Sequence, residues 1–184
     1  IQRGLALADF NGNGRSDIVC ATDSDHIWLI YDNGSIAEGF PFIAEDKFRS
    51  APSILETGGE IIIIAGCRDG NLYALNSDGS LRFQIETEWQ INTSPGFVEW
   101  ENGMSIFFGS EDGFLYGLDR DGIILPGWPI ETDGAVNVSP VFADLDGDGE
   151  PEVISGTTAG IIYAHRQDGT PIPYFPMSYG FQLF

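Results

Sequence analysis

The chain has 184 residues, of which 28 are Asp or Glu and 8 are Lys or Arg, so its formal net charge at pH 7 is −20. That charge excludes a nucleic-acid-binding protein, because such a protein needs a basic surface to neutralise phosphates. The hydrophobic share of 42% is too high for a disordered acidic segment and sufficient for a packed core. Glycine occurs 24 times and proline 10 times, which indicates many turns between short elements rather than long helices.

The longest apolar run, 61–65, has the length of a strand. A membrane-spanning helix needs about 18 or more apolar residues, so we predict no membrane insertion. The chain begins with Ile1 and shows no basic-then-apolar leader, so we expect a processed or cut portion of a longer product. Cys20 and Cys67 are too few for a disulfide framework and lack metal-ligand spacing, which favours two buried thiols over a bridge.

One pattern occurs four times along the chain. Each copy has a small residue, then a four-residue segment with an aromatic second residue, then an Asn-Gly or Asp-Gly pair. The pairs end at Gly34, Gly79, Gly122 and Gly169, and the small residues Ala21, Gly66, Gly109 and Gly156 each lie 13 positions earlier. The register predicts four repeats of about 45 residues, near 1–47, 48–90, 91–135 and 136–184.

Each repeat is predicted to contain four short strands. In the last copy we place them at 138–144, 152–157, 160–166 and 172–178. The Asp-Gly pair predicts a two-residue hairpin with a type I′ turn, which joins antiparallel neighbours. A four-stranded unit that repeats every 40 to 50 residues without a helical period is typical of propeller blades. We therefore predict an all-β protein, a β-propeller of four four-stranded antiparallel blades, either complete or part of a larger propeller.

Two stretches resemble known propeller repeats. The segment 139–154, with its Asp144-Leu145-Asp146-Gly147-Asp148 core, resembles the FG-GAP/VCBS repeats of integrin-like β-propellers. The segment 109–119, Gly-Ser-Glu-Asp-Gly-Phe-Leu-Tyr-Gly-Leu-Asp, is similar to the repeats of quinoprotein-like (PQQ-like) propellers. The resemblance implies a β-propeller and leaves the ligand open.

Two loops carry alternating oxygen ligands around a glycine. The last loop has Asp144, Asp146, Asp148 and Glu152 at positions 1, 3, 5 and 9, with the Glu150 carbonyl at position 7. The first loop has Asp9, Asn11, Asn13 and Asp17 at the same positions, with the Arg15 carbonyl at position 7. This pattern is typical of calcium, which gathers six or seven oxygens. Position 12 lacks the Glu of an EF-hand, so we predict two β-hairpin calcium loops, as the integrin-like resemblance also implies.

The second and third copies are two residues shorter at this point and carry Glu56-Thr57-Gly58 and Glu99-Trp100-Glu101, so we predict ordinary turns there. The last loop has four carboxylates, whereas the first has two carboxylates and two amides. Because ligand charge tunes calcium affinity, we expect tighter binding in the last loop. Both ions are expected to be structural, since they hold otherwise self-repelling loops in a fixed path.

The calcium loops and the Asp-Gly turns are predicted to share one rim of the blades. The opposite rim collects the loops between second and third strands and the connections between blades. Side chains there with recognition chemistry are Lys47, Arg49, Arg68, Trp89, Gln90 and Asn137. Trp89 is the strongest candidate, because an exposed indole can stack on a sugar or anchor a protein partner. The alternative is that Trp89 packs between blades.

The favoured function is a non-catalytic, calcium-stabilised propeller that binds protein or carbohydrate outside the cell, at the cell surface or in the periplasm, as an adhesion-type module. The alternative is a segment of a propeller enzyme, such as a quinoprotein-like dehydrogenase or polysaccharide lyase. The two histidines and the lack of a Ser/His/Asp or Cys/His pattern disfavour that alternative. Four blades could close alone, form a homodimer, or join further blades of the same protein.

Overall fold

The computed structural model describes residues 4–178 and 180 of the chain. Within that part there are sixteen strands and no helix, and so none with the length and apolarity of a membrane span. The chain divides into two compact units, Ile1–Ser94 and Pro95–Phe184. The outer ends of the predicted first and last repeats, residues 1–3, 179 and 181–184, lie outside the described residues.

The first unit contains two antiparallel sheets. Its strands are β1 (Leu5–Ala8), β2 (Asp17–Ala21), β3 (His26–Ile30) and β4 (Phe42–Ile43), followed by β5 (Ser53–Thr57), β6 (Glu60–Gly66), β7 (Asn71–Asn76) and β8 (Leu81–Glu86). Each sheet pairs its strands in chain order. The unit therefore consists of two four-stranded meanders, blades 1 and 2.

The second unit repeats this arrangement. Its strands are β9 (Gly96–Trp100), β10 (Gly103–Gly109), β11 (Phe114–Asp119) and β12 (Ile130–Glu131), followed by β13 (Val141–Ala143), β14 (Glu152–Gly156), β15 (Ile161–His165) and β16 (Met177–Ser178). These sheets are blades 3 and 4, and their strands also pair in chain order. Four antiparallel four-stranded sheets confirm the predicted all-β propeller of four blades.

The core of each unit lies between its two blades. In the first unit Val19, Leu29 and Phe40 of blade 1 belong to the same buried cluster as Ile63 and Leu75 of blade 2. The second strands of all four blades are almost wholly buried, which explains their continuous apolar runs. Cys20 and Cys67 are buried free thiols, and desolvation raises the pKa of Cys67 to about 12.

The turns between third and fourth strands differ from the predicted type I′ hairpin. Among the described residues, Asp25 and Tyr174 are the only non-glycine residues with a positive φ. Asp78 therefore does not adopt the left-handed conformation that a type I′ turn requires. Asn76 N–H instead bonds to the Ser80 carbonyl at 2.9 Å, which closes a three-residue loop with Gly79 at φ 79°. The type I′ prediction was wrong because the Asp78 carboxylate accepts the Ser80 N–H at 3.0 Å and holds the aspartate in a right-handed turn.

The fourth strands of blades 1, 3 and 4 have only two residues each, whereas β8 has six. In the last copy the strand predicted over 172–178 is reduced to β16, and the first strand begins at Val141 rather than 138. Prolines 171, 173 and 176 have no N–H to donate to a ladder, and the Phe175-Pro176 bond is cis. The second copy lacks the aromatic-proline pair and forms a full strand.

A close backbone approach joins the two blades of each unit. A Cβ placed on Gly39 of blade 1 would lie 1.9 Å from the Asp78 carbonyl oxygen of blade 2, and a Cβ on Gly127 would lie 1.9 Å from the Asp168 carbonyl oxygen. Both glycines have a φ near 85°. Tyr174 takes the corresponding place in blade 4, where its side chain is 91% exposed.

We expect Gly39→Ala to destabilise the chain more than Gly59→Ala. Both glycines have a positive φ, of 84° and 80°, so each alanine should cost about 1 kcal/mol in backbone strain. Only Gly39 faces another backbone, since nothing lies within 4 Å of a Cβ on Gly59. Overpacking should therefore cost G39A about 1–3 kcal/mol more. Urea denaturation measures both losses, and equal losses would contradict the close approach.

His165 is an outlier in the third-strand pattern, where the other copies have Ile30, Leu75 and Leu118. Its side chain is buried. Its ring stacks on Tyr163 at a centroid distance of 6.0 Å and makes an edge-to-face contact with Trp128 at 6.1 Å. Nδ1 has no hydrogen-bond partner among the described residues. Burial lowers the pKa of His165, because charging the ring would place an ion among apolar groups.

His165 should make the chain less stable in mild acid. The folded-state pKa lies below the unfolded value of about 6.5, so the unfolded state binds more protons and the free energy of unfolding falls as the pH drops through that value. The effect is about 1.4 kcal/mol for each pH unit by which the folded-state pKa is depressed. Urea denaturation at pH 7.5 and 5.5 should show a smaller loss for His165→Leu, and equal losses would contradict this role.

Candidate calcium loops and recognition rim

The last candidate loop, 144–152, joins β13 to β14 and folds around its own acidic side chains. The Asp144 carboxylate accepts the N–H groups of Gly147 at 2.7 Å and Gly149 at 3.0 Å. Glu152, which is 1% exposed, accepts the Leu145 N–H at 2.7 Å. Gly147 and Gly149 have φ values of 82° and 95°, which turns the chain back twice within the loop.

Three carboxylates of this loop converge. One oxygen each from Asp144, Asp146 and Glu152 lies within 4.8 Å of the other two. Two oxygens that bind one calcium ion at 2.3–2.6 Å are at most about 5 Å apart, so these three groups fit a single ion. Asp148 does not belong to the cluster, and its carboxylate accepts the Glu150 N–H at 2.8 Å.

The first candidate loop, 9–17, shares four backbone-to-side-chain hydrogen bonds with the last loop at matching positions, and differs in that Asp9 accepts the Asn13 N–H at 3.0 Å where Asp144 accepts that of Gly147. Asp9 accepts the Gly14 N–H at 2.7 Å, Asn13 accepts the Arg15 N–H at 2.8 Å, and Asp17 accepts the Phe10 N–H at 2.9 Å. Asn11 accepts the Asn13 N–H at 3.1 Å. Asp17 is fully buried, like Glu152 in the last loop. The two loops thus share one fold despite their different ligand charges.

Each loop has a charged neighbour on the adjacent hairpin that the sequence analysis did not identify. Asp32 accepts bonds from Arg15 at 3.0 Å and Asn13 at 3.1 Å, and these bonds lower the pKa of the Asp32 carboxyl. In the last loop Arg166 pairs with Asp146, one of the converging carboxylates. The sequence analysis placed both hairpins on the same rim as the loops. That placement is the signal from which Asp32 and Arg166 could have been identified as neighbours of the loops.

A cleft of about 420 Å³ adjoins the last loop, between blades 3 and 4. Pro126, Pro151 and Arg166 are among the residues that line it. Two buried indoles of blade 3 donate hydrogen bonds to lining residues of blade 4. Trp100 donates to the Pro151 carbonyl at 3.2 Å, and Trp128 donates to the Gln167 carbonyl at 2.9 Å. The loop is therefore anchored to the preceding blade.

On the opposite rim the first unit gathers four of the six predicted recognition residues. Arg68 donates from Nε to the Gln90 side-chain oxygen at 2.7 Å, and its N–H bonds to the Lys47 carbonyl at 3.0 Å. Trp89, next to Gln90, is 62% exposed. Its indole is therefore available to solvent, and the alternative that it packs between blades is wrong. We call Lys47, Arg68, Trp89 and Gln90 the recognition rim.

The other two predicted residues are placed differently. Arg49 pairs with Asp23 at 3.2 Å, so its charge is already matched. Asn137 belongs to the second unit, and its side-chain oxygen is buried without a hydrogen-bond partner among the described residues.

No protein-family model and no curated protein matches the chain. Solved structures do match it. The chain is 22% identical to BamB from Moraxella catarrhalis, with a TM-score of 0.64 over 94% of this chain and 48% of that one. The computationally designed Ika8 protein matches at 14% identity and a TM-score of 0.72 over 97% and 50%. The V. cholerae biofilm matrix protein Bap1 matches at 19% and 0.64 over 91% and 29%.

The chain thus spans about half the length of the first two structures. At these identities the likeness is one of fold, and it agrees with the β-propeller blades described above.

Trp89→Phe should remove most of the tryptophan emission that acrylamide quenches. Trp100 and Trp128 are 4% and 6% exposed, whereas Trp28 is half-buried and stacked on His26 at 5.8 Å. The remaining emission should lie at shorter wavelength, because buried indoles are in an apolar environment. Trp28→Phe serves as the control and should leave the quenched component largely in place. Unchanged quenching in W89F would contradict the exposed position of Trp89.

Proposed function

We propose that the chain is a calcium-stabilised, non-catalytic β-propeller module that binds a protein or carbohydrate ligand on the rim opposite its calcium loops. The convergence of Asp144, Asp146 and Glu152 within 4.8 Å is the observation that carries this proposal. Oxygen donors of this kind at this spacing suit a hard divalent cation. The first loop shares four of these backbone hydrogen bonds at matching positions, which supports a second site of the same kind.

In the last loop the ion would be held by the converging Asp144, Asp146 and Glu152 together with the Glu150 carbonyl, and Asp148, which lies outside that cluster, would have to join them. In the first loop the ligands would be Asp9, Asn11, Asn13, Asp17 and the Arg15 carbonyl. The ion supplies positive charge that offsets the repulsion among these oxygens. Asp17 and Glu152 are almost completely buried, and a buried carboxylate is costly unless it is paired or bound to a metal. Filling the loops should therefore stabilise the fold.

The proposed location is extracellular, at the cell surface or in the periplasm. Calcium sites built into hairpin loops are filled where calcium is millimolar, even at dissociation constants of about 10⁻⁴–10⁻³ M. The net charge of −20 keeps such a module soluble and biases it against polyanions. Bap1, one of the similar structures, is described as a biofilm matrix protein, which agrees with a binding role outside the cell.

The proposal of a non-catalytic module rests on the state of the groups that would do chemistry. His165 is enclosed by Tyr163 and Trp128, and burial keeps it neutral. The acidic side chains of both loops already hold backbone amides. A quinone-dependent or lyase reaction would need several convergent basic groups, and Arg49 on the opposite rim is paired with Asp23.

Calorimetric titration of the chelated chain should give two calcium ions per chain. Asp144→Asn should remove one and Asp9→Asn the other, since each removes a charged ligand at position 1. Glu99→Gln, at the same repeat position in the short turn of blade 3, is the matched control and should bind both ions. The ion left in D9N should bind more tightly than the ion left in D144N, because the last loop has more carboxylates.

The same variants should differ in thermal denaturation. Calcium at one hundred times the dissociation constant stabilises a folded state by about 2.7 kcal/mol per site, and each loop variant should lose its share. A wild-type chain that binds no calcium at about 10 mM, above the weakest expected dissociation constant, would overturn the proposal. The reverse order of affinities would overturn the ranking of the loops alone.

A further inference from the structure

The backbone that supports the recognition rim occurs twice in the chain. In blade 2, Thr87 donates from its N–H and its hydroxyl to the Gly70 carbonyl, both at 2.8 Å, and the hydroxyl also bonds to the Trp89 carbonyl at 2.7 Å. In blade 3, Thr132 makes the same bonds to Gly113 at 2.8 and 2.7 Å, and its hydroxyl bonds to the Gly134 carbonyl at 2.9 Å.

The side chains on these two threonine-anchored connections are very different. Trp89 and Gln90 correspond to Gly134 and Ala135, and Arg68 corresponds to Glu111. Blade 3 therefore forms its threonine-anchored connection with no side chain at the first position and a methyl group at the second, although Gly134 has a φ of 124° that Trp89 does not share. Packing does not require the indole and the amide of blade 2, and the 62% exposure of Trp89 agrees with that.

Positive charge on the rim is unusual for this protein. The described residues include seven Lys and Arg side chains, and Arg15, Arg49, Arg82, Arg120 and Arg166 each have a carboxylate within 4 Å. Lys47 and Arg68 have none among the described residues. With 28 acidic side chains in the chain, two neighbouring cations without a counter-ion point to a ligand that brings its own negative charge.

The donor geometry of Arg68 suits a carboxylate. Its Nε is occupied by Gln90 at 2.7 Å, which fixes the plane of the guanidinium and leaves its terminal N–H groups as donors. Arginine binds carboxylates through pairs of such parallel donors. Thr87 fixes the backbone of Trp89, and the next residue, Gln90, holds the Arg68 side chain. Such preorganisation lowers the entropic cost of binding.

We propose that the recognition rim binds a saccharide that carries a carboxylate, with the sugar ring against the Trp89 indole and the carboxylate on Arg68, assisted by the charge of Lys47. A protein partner is less favoured, because a protein interface surrounds its anchors with a desolvated apolar core, whereas Trp89 is flanked by Glu88 and Gln90. This inference rests on the proposed function and names the ligand class for its rim.

The test is an NMR titration of the calcium-saturated chain with three probes: trigalacturonic acid, neutral galactotriose and a triglutamate peptide. The indole N–H signal of Trp89, assigned by its loss in Trp89→Phe, should shift with trigalacturonic acid. Arg68→Gln should weaken that binding about tenfold or more, since a hydrogen-bonded charge is removed, and should abolish the preference over galactotriose. Trp89→Ala should weaken binding of both sugars.

Two variants control for general effects of charge and aromatic surface. Arg120→Gln removes a cation that is already paired with Asp121, and Tyr174→Ala removes an aromatic ring that is 91% exposed elsewhere. Both should bind trigalacturonic acid like the wild type. Equal binding of galactotriose would overturn the carboxylate assignment, and equal binding of triglutamate would overturn the saccharide.

The absence of any shift in the Trp89 indole signal would overturn the site itself. Thermal denaturation of the same samples with calcium and with chelator separates this result from a failure of the proposed function. If calcium stabilises the chain and no saccharide binds, only the rim assignment fails. If calcium does not stabilise the chain, the calcium proposal fails independently of the rim.

Discussion

Hydrogen bonds from backbone amides to acidic side chains organise the loops on both rims. Asp78 fixes a hairpin turn, Asp112 closes a loop between second and third strands by accepting the Phe114 N–H, and Asp144 and Glu152 shape a candidate calcium loop. A carboxylate is a strong acceptor for such amides. Much of the acidic composition is therefore structural, and it supplies the turns that allow short strands to form blades.

This use of carboxylates has an electrostatic cost, because a net charge of −20 repels itself in the compact state. The chain offsets part of it with a few well-placed cations. Arg15 lies against Asp32 beside the first loop, and Arg166 lies against Asp146 in the last. The two pairs differ in consequence. Arg15 pairs with a carboxylate outside its loop, whereas Arg166 pairs with Asp146, one of the three converging carboxylates.

The blades could be predicted from the sequence because residues that pack in the same way in each blade recur at the same spacing along the chain. Small, aromatic and Asn-Gly or Asp-Gly positions recur in register, because each blade repeats one layout of strands and turns. Details that depend on a side chain's choice of partner were not predictable. Asp78 selects a three-residue loop by bonding to the Ser80 amide, and the prolines near Pro176 shorten the last strand. Neither effect alters the repeat spacing, so neither was visible in it.

The residues of the candidate sites also fall into those that a local sequence pattern contains and those that depend on contacts between distant segments. The convergence of Asp144, Asp146 and Glu152 could be anticipated, because a calcium-loop motif places oxygen-bearing side chains at a fixed spacing along consecutive residues. Asp32 and Arg166 approach from another hairpin, so no local pattern contains them. The residues of the recognition rim are identified in a different way, because their side chains depart from those at the same positions of the other repeats. Blade 3 has Gly134 and Ala135 at these positions, whereas blade 2 has Trp89, which is 62% exposed, and Gln90, which accepts a hydrogen bond from Arg68. Departures from a repeat that packing does not require are therefore where a propeller's specificity is to be sought.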